Sequence, residues 1–148
     1  MRGYLGMQFG QPELDELLTE FKISAIPKIK RDDTSAHILN AEIGVELTFR
    51  DAAAVANSAE DLPEGVLILS NIRYYGVATD IFKPYLGELP EGFFFGESRE
   101  GLLKRMGDPN RKNSSNTKFS WDNERSSILA TLDRSDKVDI VALQLKVA

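Results

Sequence analysis

The side chains able to do chemistry are few in kind: one histidine, no cysteine, and twenty-three Asp and Glu residues in a chain of 148. His37 has neither a second imidazole nor a thiolate with which to hold a metal or activate a nucleophile, so its expected role is structural. Asp15 with Glu20-Phe21-Lys22 has the residue types of a nuclease-type Asp…Glu-x-Lys set. Here, however, Asp15 shares one helical stretch with the Glu instead of standing on the usual strand pair, and the acids read as a solvated helix face. No Gly-x-Ser-x-Gly elbow provides a serine nucleophile, and "GESREG" lacks the lysine of a phosphate loop. Asn113-Ser114-Ser115 fits a glycosylation sequon but reads as a polar loop. These absences predict no catalytic residues, no metal and no cofactor, in a chain that is not an enzyme.

Composition bounds the rest. An apolar fraction of 42% and a charged fraction of 28% are those of a globular domain. No apolar run approaches the ~18 residues of a membrane span, and the N-terminus turns acidic before a signal-peptide core could form, which leads to the expectation of a cytoplasmic chain. A net charge of −5 disfavours nucleic acid, whose phosphates require clustered Lys and Arg.

The elements that would have to position any site follow from periodicity. Leu14, Leu17, Leu18 and Phe21 recur at helical spacing behind Pro12, which suits a first turn. Val45, Leu47 and Phe49 alternate with Glu46, Thr48 and Arg50, predicting a half-buried strand paired with residues 36–41. Residues 51–65 read as a long connection with one helical turn, "VLILSNIRYYGV" as a strand, and the Pro- and Gly-bearing stretch to residue 91 as a joint. Beyond it, Ser98 caps a short helix carrying Leu102, Leu103 and Met106 that stops at Gly107. A polar loop over 111–118, the strands "FSWD" and "SSILATLDR", a turn and a last strand "VDIVALQLKV" complete the chain.

The order of elements repeats. Aligning Gly6 with Gly92 also pairs Phe9 with Phe95 and Gly10 with Gly96, and a one-residue slip sets Leu17 on Leu102. The expected fold is therefore α+β: two tandem helix-plus-antiparallel-sheet repeats, residues 1–80 and 88–148, sharing one curved sheet surface as one compact unit. The second repeat runs from an aromatic through Gly96, Ser98 and Arg99, an apolar helix, then Met106, Gly107 and Pro109, and later Trp121 with an apolar strand. That pattern resembles the unit found in the small lipoproteins of the outer-membrane barrel-assembly machinery, in the β-lactamase inhibitor protein, itself a tandem repeat of it, and in small bacterial immunity-type proteins. The first repeat departs from it, with "FKIS" where the Gly-x-Pro would stand and no matching Trp. The resemblance implies a core position for Trp121 and a role in binding another protein.

Strand alternation then nominates the contact residues. If Ile68, Ser70, Ile72 and Tyr74 face the helices, Asn71, Arg73 and Tyr75 share the open face, and Tyr and Arg are enriched among interface hot spots. Of Phe93, Phe94 and Phe95 only alternate rings can be hidden, which leaves Phe94 as an exposed anchor. Asp51, Glu60, Asp61 and Glu64 around the long connection would steer a basic toxin domain. The expectation is a cytoplasmic immunity-type or inhibitor protein, monomer or homodimer, that occludes a protein partner through the open sheet face; the alternative is a non-enzymatic assembly adaptor, homodimeric through an edge strand.

Overall fold

The computed structural model describes residues 2–54 and 65–146. It is an α+β fold in which seven antiparallel strands form one sheet in the order β1-β2-β3-β7-β6-β5-β4. After a 3-10 turn at Arg2–Tyr4 comes α1 (Pro12–Glu20), then β1 (Ser35–Asn40), β2 (Val45–Asp51) and β3 (Leu67–Tyr75). A connection leads to α2 (Arg99–Met106), β4 (Arg111–Lys112), β5 (Lys118–Asp122), β6 (Ser126–Leu132) and β7 (Val138–Leu145). The last strand before the connection and the last strand of the chain thus meet at the centre, Asn71 opposite Gln144 and Tyr74 opposite Val141. Where β7 runs out, residues 6–9 take its place beside β3: the Gly6 amide donates to the Leu69 carbonyl at 2.8 Å and the Phe9 amide to that of Leu67.

Both helices pack on one face. α1 buries Leu14, Leu17 and Leu18, and Phe21 just beyond it meets the Tyr74 ring edge-on at 6.1 Å. Pro12 opens α1, as its missing N–H allows, and no side chain caps that end. In α2 the Ser98 hydroxyl accepts from the Gly101 amide, Leu102 is fully buried, and Gly107 at φ +79° closes the helix. Trp121 is a core residue of β5, tied to this helix end by its indole N–H, which donates to the Gly107 carbonyl at 3.1 Å.

Two details differ from the sequence expectation. The alternation on β3 breaks at Ser70: Thr48 pairs with Asn71 but Phe49 pairs with Leu69, so Ser70 is an extra, bulged residue whose hydroxyl donates to the Thr48 carbonyl. Leu69, not Ile68, therefore joins Phe49 on the helix side. Arg111 and Lys112, expected in a loop, form the short edge strand β4 against Ser120 and Phe119.

Candidate functional site

With the helices on one side, the register of the strands spells out the other. One row across the sheet runs His37, Thr48, Asn71, Gln144, Ser127 and Asp122. The next runs Leu39, Glu46, Arg73, Ala142, Leu129 and Ser120 to Arg111. This face is polar and partly open, His37, Arg73, Gln144 and Lys118 being exposed. Asn71, Arg73 and Tyr75 lie on it together along β3.

Tyr75 is held rather than free. Its ring stacks on Phe82 of the connection at 4.0 Å and 14°, and its hydroxyl donates to Glu46 at 3.4 Å. Burial and then the Glu46 carboxylate raise its pKa, with Arg73 working the other way. Glu46, Arg73 and Tyr75 thus form one electrostatic group, in which a guanidinium and a half-buried phenol are presented side by side.

The other nominated residues lie elsewhere. Phe94 is 54% exposed, but it sits on the approach to α2, between Phe93, which packs edge-on against Trp121, and the half-buried Phe95. Asp51 ends β2, and its carboxylate accepts from the Ala53 and Gly65 amides, both at 3.0 Å. Those bonds draw the two ends of the long connection together, so the group is occupied by the backbone. Glu60, Asp61 and Glu64 lie outside the described residues.

Sequence reading missed two constellations, because both are assembled across strands. On β4–β6, Arg111 donates to Ser120 at 3.1 Å, to Ser127 at 3.3 Å and to Asp122 at 3.4 Å, while the Ser120 hydroxyl donates to Asp122 at 2.7 Å. Burial pushes the Asp122 carboxyl up, yet the Ser127 and Ser120 hydroxyls and Arg111 outweigh it and hold it below the ordinary value. Both serines are almost fully buried, and the group is a network that fastens the short edge strand. The second is a depression of about 280 Å³ bounded by Thr34, Ser35, Thr48, Arg50, Asn71 and Gln144, with Ser70 and Leu145 beneath. A larger hollow of about 400 Å³ lies where Gly3 and Leu5 meet the β5–β6 turn. Among the described residues no group of three or more His, Asp and Glu is placed to hold a metal ion, and no helix is long and apolar enough to cross a membrane.

No family model matches the chain, and no curated protein matches it. Among solved structures it is similar to a DUF4309 family protein, YjgB, from Bacillus subtilis subsp. subtilis str. 168, at 18% identity over 89% of this chain and 77% of that one, with a TM-score of 0.42.

Proposed function

We propose that the chain is a non-enzymatic binding protein of the immunity or inhibitor type, which occludes a protein partner in the cytoplasm through the open face of its sheet. The observation that carries this reading is the clustering of Asn71, Arg73 and Tyr75 on the side of a continuous sheet that the helices leave bare. A rigid sheet supports such a surface at little entropic cost on binding, and an interface of roughly 1,600 Å² would fit it with Arg and Tyr as anchors. We read the two helix-then-antiparallel-strand halves, residues 1–80 and 88–148, as a tandem duplication whose last strands, β3 and β7, pair at the centre.

The exposed edge favours a second reading, an adaptor or homodimer. β1 is a six-residue outer strand bearing exposed His37 and Leu39, and adding a strand to it would join two copies. The two readings separate in a tagged pull-down from lysate of the source cells at moderate salt, read by intact mass, with Arg73→Ala and Tyr75→Ala alongside. A single stoichiometric partner, retained by the parent and lost in both variants, is the expected result. Recovery of the protein alone as a dimer overturns occlusion in favour of self-association through β1.

A further inference from the structure

The charge of the open face runs against that of the whole molecule. Across its strands stand Arg50, Arg73, Arg111 and Lys118 against the carboxylates of Glu46 and Asp122, in a chain whose net charge is −5. The two acids are already engaged, Glu46 with Tyr75 and Asp122 with Arg111 and Ser120. Arg50 is not: among the described residues its guanidinium has neither an ion pair nor a hydrogen bond, and it borders the 280 Å³ depression.

The lining of that depression is rich in donors and free of acids. Around Arg50 stand the hydroxyls of Thr34, Ser35 and Thr48 and the carboxamides of Asn71 and Gln144. Thr48 is engaged with His37 at 2.9 Å, whereas the side chains of Thr34, Ser35, Asn71 and Gln144 bond to no other described residue. Of the acids adjoining the lining in sequence, Asp51, next to Arg50, has both oxygens turned to backbone amides, and Asp33, next to Thr34, is exposed. A guanidinium with two carboxamides and two hydroxyls at the rim offers the bidentate and single N–H or O–H bonds that an oxyanion accepts. An incoming ammonium would meet one cation and no carboxylate.

We propose that this depression is the anchor point of the interface and that it receives an acidic side chain, Asp or Glu, from the protein partner. The inference rests on the reading of the sheet face as a docking surface, and it names the chemistry of the partner there. Steering of a basic partner was expected from Asp51 and its neighbours in sequence; the face that would make the contact has the opposite sign. Arg50 and Gln144 set the position, and Arg73, one row beyond Gln144 and two beyond Arg50, extends the cationic strip.

The test uses the full chain, 15N-labelled, titrated at low salt with a decapeptide alternating Glu and Gly and with its Lys-for-Glu counterpart. The expected result is a saturable shift of the Arg50, Asn71 and Gln144 amides and of the two side-chain NH2 groups with the acidic peptide, and none there with the basic one. Arg50→Gln should weaken the acidic peptide at least fivefold. Lys104→Gln, which removes an exposed cation on α2, should leave its affinity unchanged. Equal weakening by both variants, shifts concentrated off the sheet face, or no saturable shift each overturn the proposal. A partner captured through Arg73 and Tyr75 despite such a result would leave the occluding face intact and remove only its acidic anchor.

Discussion

At the scale of single residues, two buried side-chain atoms have no hydrogen-bond partner among the described residues, the Tyr74 hydroxyl and Asp139 Oδ1. Tyr74 sits at the centre of the core, with Tyr85 at 4.9 Å and Phe21 at 6.1 Å, and burial first, then Tyr85 and Glu20, drive its pKa far up, so it stays neutral. Asp139, at the start of β7, has its pKa raised by burial and then by Asp133. Its folded carboxyl binds a proton more tightly than the unfolded one. Between the unfolded value of about 4 and the raised folded value the native state holds the extra proton, so its contribution to stability falls as pH rises through that window. Asp139→Asn should accordingly raise stability at pH 7, an advantage that shrinks as pH falls through that window and is absent below about pH 4, where the carboxyl is neutral in both states. Urea unfolding from pH 3.5 to 8 reads this; a variant less stable than the parent at pH 7 would show that the carboxylate is satisfied by solvent. The ion pair of Arg105 and Glu97 is the contrasting case. The guanidinium meets both carboxylate oxygens, at 2.7 and 3.0 Å, and lies 4.9 Å from the Phe93 ring centre, so a 5% exposed acid is fully compensated.

At the scale of elements, the connection between the halves is tied to the end of the sheet by backbone hydrogen bonds and ring contacts. The Lys83 amide donates to the Ala41 carbonyl and the Tyr85 amide to that of Tyr75, at 2.8 and 2.7 Å, so the segment crosses the end of the sheet with Phe82 on Tyr75 and Tyr85 in the core. Gly44, at φ +83° in the β1–β2 turn, lies directly beneath, and a Cβ there would strike the Lys83 carbonyl and the Tyr85 amide. Gly44→Ala is expected to combine left-handed strain with this collision, about 3 kcal/mol in all, and to lower Tm by roughly 10 °C. Gly10→Ala, at φ +102° with open space around it, should cost only the strain, about 1 kcal/mol. Calorimetry of the pair separates the terms, and equal losses would mean that the connection yields. This is also the scale at which the sequence was most legible. The helix stripe of Leu14 to Phe21, the Ser98 cap and the alternation of Val45, Leu47 and Phe49 are local consequences of period and propensity, and they predict α1, α2 and β2 directly. The bulge at Ser70 was not legible, because it depends on the partner strand; neither was the depression, since Arg50 and Gln144 lie far apart in sequence and are brought near each other by the central pairing. Asn71, Arg73 and Tyr75 were legible as a group only because they share one strand.

At the scale of the whole molecule, everything turns on the seam between β3 and β7. It joins the strands on either side through five residue pairs from Asn71–Gln144 to Tyr75–Ile140, and the Gly76 amide extends it to the Asp139 carbonyl. On its helix side Ile72 and Leu143 are opposed, as are Tyr74 and Val141, and all four are fully buried. Burying one such side chain contributes about 1.5–3 kcal/mol, whereas a domain of this size is stable by only about 5–15 kcal/mol in total, so neither half can give up the seam and remain folded. The cut that tests this falls after Leu86, which is 93% exposed in the connection. Residues 1–86 and 87–148, made separately, should each lack a cooperative unfolding transition, since each would expose a strand edge and the apolar face of its central strand. Mixed, they should recover one 1:1 species with the circular dichroism of the intact chain. Cooperative unfolding of residues 1–86 alone would instead make the halves independent domains. Arg50 and Asn71 of the depression belong to residues 1–86 and Gln144 to residues 87–148, so docking completes its rim, and the acidic peptide should bind the mixture more tightly than residues 1–86 alone.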